Sequence, residues 1–121
     1  IPLTAANATI NIIINEKLIK NSEKQGKYLM KSLKSLKKRY PNLGDVRGLG
    51  LMIGTEFIKE NGEPNPALTN KIQSKCLEKK LLLLSCGTYL NVIRWIPPLI
   101  VTKSQIDDAV KIFSESMEDC E

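Results

Sequence analysis

The spacing of apolar residues changes repeatedly along the chain, and each change marks an element. From Pro2, which suits a first helical turn, Ala5, Ala6, Ile10, Ile13 or Ile14, and Leu18 follow a helical period with a wide apolar face. That width predicts a helix buried on most of its sides. Ser22 and Gln25 have the spacing of a capping box, which predicts a restart or kink near Asn21. Leu29, Leu33, Leu36 and Tyr40 then form a clean amphipathic stripe that Pro41 and Gly44 end.

Residues 45–58 are strand formers interrupted by Gly48, Gly50 and Gly54, predicting two short strands or one bent strand. A turn-rich stretch from Glu60 ends in Asn65-Pro66, a natural N-cap and first helical residue, and Leu68, Ile72 and Cys76 line the helix that follows. Leu81 to Leu84 is a short, continuously apolar run, as in a strand covered on both faces. After a turn at Gly87-Thr88, a strand places Val92, Arg94 and Ile96 on one face and Ile93 and Trp95 on the other, and Pro97-Pro98 stops it. Thr102 and Gln105 make a second capping box before a helix whose buried face is Ile106, Val110, Phe113 and Met117. This order predicts one α/β sandwich domain spanning residues 1–121, a short mixed or antiparallel sheet with helices packed against it.

At 121 residues and 42% hydrophobic, the chain can bury one core and no more. Histidine is absent, so imidazole chemistry must come from elsewhere. Cys76, Cys86 and Cys120 are odd in number and lack a C-x-x-C pair, which argues against a disulfide framework and a zinc site. They are expected to pack as small apolar residues in a reducing, cytoplasmic setting, and no metal is expected. No apolar run approaches the length of a membrane span. Because Ile1-Pro2 runs straight into a helical pattern, the chain reads as a segment of a longer polypeptide.

Arg94 is the residue most suited to chemistry. A guanidinium in an apolar strand must leave the layer at its rim or find an anion there; it can also snorkel or pair with a structural carboxylate. The net charge of +5 permits anionic partners, and Lys17, Lys20, Lys24, Lys27, Lys31, Lys34 and Lys38 form one stripe at alternating threes and fours. With no aromatic residue interleaved to stack on bases, the stripe reads as a solvated face, and a free-standing nucleic-acid-binding module is the rival reading. The glycines near Gly48 lack both the third glycine of a dinucleotide fingerprint and a G-K-[ST] sequence.

Three stretches together carry a resemblance: Ile1-Pro2-Leu3-Thr4-Ala5-Ala6 opening a helix, Gly44 to Gly54 (GDVRGLGLMIG), and Gly87 to Arg94 (GTYLNVIR) followed by Pro97-Pro98-Leu99. In order and spacing they resemble the C-terminal part of class III pyridoxal-phosphate aminotransferases of the 4-aminobutyrate and ornithine type, over essentially the whole chain. The resemblance implies the small C-terminal domain of a fold-type I enzyme that works as a homodimer with pyridoxal 5'-phosphate. Its implied substrates are an ω- or α-amino acid and a 2-oxo acid such as 2-oxoglutarate. It further implies that Arg94 binds the substrate α-carboxylate, pairing with a large-domain glutamate in one half-reaction and swinging free in the other. Arg47 and the neighbouring glycines are implied to be structural, and Asn91 to have no catalytic part. The Schiff-base lysine and the phosphate-binding residues are implied to lie in a large domain upstream, so this segment alone is expected to be inactive. Racemases, decarboxylases and mutases share the scaffold, which keeps a non-transaminating pyridoxal-phosphate reaction as an alternative.

Overall fold

A computed structural model describes all 121 residues. Its elements run α1 (Pro2–Asn15), α2 (Leu18–Leu36), β1 (Leu43–Leu49), β2 (Met52–Phe57), α3 (Pro66–Glu78), β3 (Leu84–Cys86), β4 (Val92–Trp95) and α4 (Lys103–Glu118). The strands form one sheet in the order β1-β2-β4-β3. Every pairing is antiparallel, so of the two sheet types expected the antiparallel one is present. The 45–58 stretch is a hairpin of two strands, with Leu49 opposite Met52 at its tip.

Period two divides the sheet into unlike faces. Val46, Ile53, Phe57, Ile93 and Trp95 point toward the helices and join Leu29, Leu33, Ile72, Ile106, Phe113 and Met117 in one core of 17 buried residues. Phe113 is its centre, edge-on to Trp95 at 5.0 Å and to Phe57 at 6.2 Å between ring centroids. Thr55 is fully buried yet satisfied, its hydroxyl donating to the Ile93 carbonyl (3.2 Å) and accepting from the Trp95 indole (3.3 Å). The helix starts expected at Asn65-Pro66 and at Thr102 are present. The Asn65 side chain accepts from the Leu68 amide at 3.1 Å, and Thr102 and Gln105 form a reciprocal capping box.

Four local expectations are corrected. The first helix is not buried: α1 packs only against α2 and has no buried residue, with Ile10 and Ile14 exposed. Its wide apolar face finds nothing in this chain to cover it. The break between the first two helices falls at Lys17, in the left-handed region at φ 52°, and not near Asn21. Ser22 and Gln25 therefore sit inside α2, where Gln25 is buried, and Leu18 belongs to α2. Regular helix ends at Leu36, one turn short of Tyr40, although Tyr40 still reaches the core and donates to the Ser114 carbonyl at 3.1 Å. Finally, the apolar run Leu81 to Leu84 is not a doubly covered strand. Only Leu83 in it is buried, and the strand that follows, β3, is a three-residue edge of the sheet.

Candidate functional site

The helices cover only one face of the sheet. On the other, the register aligns Arg47, Gly54, Arg94 and Leu84 in one row and Asp45, Glu56, Val92 and Cys86 in the next. Gly54, between the two arginines in the register, contributes no side chain, and Val92 leans over it, its Cγ1 3.1 Å from where a Cβ would lie.

Arg94 lies where the spacing puts it, exposed on the face opposite Ile93 and Trp95. It makes no ion pair with any carboxylate of this chain. It borders a cleft of about 380 Å³ whose walls include Leu82, Leu84, Ile96 and the Pro97-Pro98 corner. The two prolines end the strand and leave an apolar wall at its end. A planar fork of donors beside such a wall can hold a carboxylate with two parallel hydrogen bonds.

Arg47 is engaged. Its guanidinium donates to Glu56 at 2.5 Å and to Asp45 at 3.0 Å, bonds that hold its pKa above the ordinary arginine value. Glu56 also accepts from the Asn91 side chain at 3.4 Å. Asn91 is buried and donates to the Phe57 carbonyl at 3.0 Å, while the Phe57 amide donates to the Asn91 carbonyl at 2.8 Å. It therefore extends the pairing of β2 and β4 and fixes the start of the Arg94 strand. Nothing in the sequence marks Glu56 and Asp45 as partners of Arg47. Alternation places Asp45 and Arg47 on one face, but the approach of Glu56 depends on the hairpin register.

A wider groove of about 730 Å³ lies between α2 and the β1–β2 turn, with Lys27, Lys31, Lys34, Met30 and Leu49 in its walls. The whole lysine stripe is exposed, and Lys27 is paired with Glu23 at 2.7 Å, so the groove offers mobile point charges and no fixed fork. Burial pushes the Cys76 and Cys120 thiols up, away from the thiolate a nucleophile needs. All three cysteines are unpaired, no group of side chains could hold a metal ion, and no helix is long and apolar enough to cross a membrane.

The Aminotransferase class-III family matches residues 1–117. The chain belongs to this family. It is 46% identical over 115 residues to the alanine/serine racemase of Pyrococcus horikoshii, covering 95% of this chain and 24% of that protein. It is 42% identical over 116 residues to a 5-aminovalerate aminotransferase of Pseudomonas putida (95% and 27%) and 33% identical over 121 residues to the 4-aminobutyrate aminotransferase of Escherichia coli (98% and 28%). Among solved structures, a phospholyase from Arthrobacter in complex with phosphoethanolamine superposes with a TM-score of 0.91 at 29% identity (94% and 28%). A Bacillus anthracis aminotransferase does so at 0.87 and 30% (94% and 27%). The chain thus spans about a quarter of the length of the relatives it matches.

Class III aminotransferases use pyridoxal phosphate, and the residues of this chain do not fit that group. A Schiff base needs an amine held in a pocket, whereas every lysine here is on the surface. The two least exposed, Lys75 and Lys79, are held by Glu78 at 2.8 Å and by Asp119 at 2.8 Å, which raises the pKa of each.

Proposed function

We propose that the chain is the small domain of a longer pyridoxal-phosphate enzyme that transfers an amino group from an ω-amino acid, such as 4-aminobutyrate or 5-aminovalerate, to a 2-oxo acid such as 2-oxoglutarate. In this reading Arg94 binds the substrate α-carboxylate, and the rest of the enzyme supplies the cofactor. The observation that carries it is an arginine left without a carboxylate partner at the edge of an apolar cleft, in a family whose substrates are amino and oxo acids. Two parallel hydrogen bonds to a carboxylate fix both position and plane, which orients the reacting amino group. A homodimer and a cytoplasmic setting complete the proposal, the latter in keeping with three unpaired cysteines.

In the full-length enzyme, Arg94→Ala is expected to lower kcat/KM for the 2-oxo acid by roughly 30-fold to several thousand-fold, corresponding to the roughly 2–5 kcal/mol lost when a charged partner is truncated. Arg94→Lys should recover part of the loss, because an ammonium cannot reproduce the fork. If an ω-amino donor is held mainly by the large domain, single-turnover measurements should show the 2-oxo acid half-reaction suffering more than the donor half-reaction. Unchanged rates in both would end the proposal.

A second reading, racemisation, is favoured by the 46% identity to the Pyrococcus racemase. Inversion of L-alanine or L-serine with no 2-oxo acid present would support racemisation, and a strict requirement for a 2-oxo acid would support transfer.

A further inference from the structure

We propose that Arg47 is a positioning residue that keeps Arg94 available for its ligand by sequestering Glu56. The inference rests on reading Arg94 as the carboxylate ligand. Glu56 lies directly opposite Asp45 on β1 and Val92 on β4, which makes it the diagonal neighbour of Arg47 on one side and of Arg94 on the other. Diagonal neighbours on one face of an antiparallel sheet stand about 7–8 Å apart, within reach of long side chains. Glu56 is therefore within reach of either arginine; Gly54, between the two in the register, carries no side chain, and the small Val92 side chain leans over it, its Cγ1 3.1 Å from where a Cβ on Gly54 would lie.

Glu56 is committed to Arg47. One carboxylate oxygen accepts from Arg47 at 2.5 Å and the other from Asn91 at 3.4 Å, while Arg94 has no carboxylate within 4.0 Å. Asp45 explains the choice. It stands directly across from Glu56, where two like charges repel unless a cation joins them, and Arg47 bonds both. Without Arg47 the two carboxylates are left side by side, and the other cation of that face is Arg94. Glu56 then becomes an internal competitor for the substrate carboxylate. The device works by occupying a carboxylate, so it acts on ligand affinity and not on the chemical step.

The test uses the full-length enzyme with a 2-oxo acid as varied substrate. Arg47→Met, at a half-exposed position, is expected to raise KM for that acid about fivefold, the factor supplied by a partly exposed ion pair of about 1 kcal/mol, with kcat held. The double variant Arg47→Met/Glu56→Gln should return KM to the parent value, because the competitor is gone although the cluster is still broken. A site-resolved dione modification, read by peptide mass, should slow at Arg94 in the single variant and recover in the double. An unmoved KM in Arg47→Met, or a double variant as impaired as the single, would overturn the sequestration. Arg94→Ala separates the two levels. If it leaves KM unchanged, the carboxylate reading itself has failed and the sequestration falls with it.

Discussion

Gly26 sits in the interior of α2, where glycine ordinarily weakens a helix and alanine is expected to stabilise it by about 1 kcal/mol. The structure reverses that sign. A methyl group built at Gly26 would lie 2.8 Å from Gly50 Cα and closer still to its carbonyl carbon and oxygen, all backbone atoms of the hairpin turn. Ordinary contact begins near 3.4 Å, so to clear the carbonyl oxygen the turn would have to retreat from α2 by roughly an ångström or more. It is poorly free to do so, because Gly50 has φ 55°, a left-handed conformation, and Leu51 beside it is buried in the core with Leu29 and Leu33 of α2.

Overpacking against backbone costs about 1–3 kcal/mol, and with no flexible side chain to yield, the upper end applies. Subtracting the propensity gain leaves Gly26→Ala about 2 kcal/mol less stable than the parent. With a denaturant slope of roughly 1–3 kcal/mol per molar for a protein of this size, the urea midpoint should fall by about 1 M. Chemical unfolding of the 121-residue chain, followed by Trp95 fluorescence, gives this directly, since Trp95 lies in the single core. A variant as stable as the parent, or more so, would show that the helix and hairpin do not meet at these two glycines.

Two other outcomes concern the helix ends. Thr102→Ala removes the hydroxyl that accepts from the Gln105 amide at 3.3 Å, and should lower stability by about 1 kcal/mol in the same unfolding assay. Asp119 is held below its ordinary carboxyl value chiefly by its hydrogen bond from Lys79. Its pKa is lower in the folded chain than in the unfolded one, so its stabilising effect is complete above the unfolded value and is lost as pH falls through the folded one. Asp119→Asn should therefore be less stable than the parent at neutral pH and equal to it in strong acid. A difference between the two that persists in strong acid would contradict this.

Local rules carried far along this chain because many of its signals involve neighbouring residues. The Asn65-Pro66 start, the Thr102 capping box and the alternation that turns Arg94 away from Ile93 and Trp95 are each set within a few residues, and each is present. The same holds for the amphipathic stripe of α2, whose Leu29 and Leu33 are buried. Spacing alone could not tell how much cover an apolar segment receives. Residues of α1 and of the Leu81 to Leu84 run are as apolar as core residues, yet burial depends on what packs against them. Within this chain α1 meets only α2, and β3 has a neighbour on one side only. Ser22 and Gln25 matched a cap in spacing, but a cap needs a helix end, and the chain breaks earlier, at Lys17.

The arrangement around Arg94 belongs to this second kind. Its residue type and its face followed from the order of amino acids. That it has no partner, that Glu56 is spent on Arg47, and that Gly26 must be glycine because Gly50 lies against it all depend on registers and contacts between segments distant in sequence. The physical reason is range: backbone sterics and capping act over three or four residues, whereas ion-pair choice and close packing are settled by whichever strands and helices the folded core brings together.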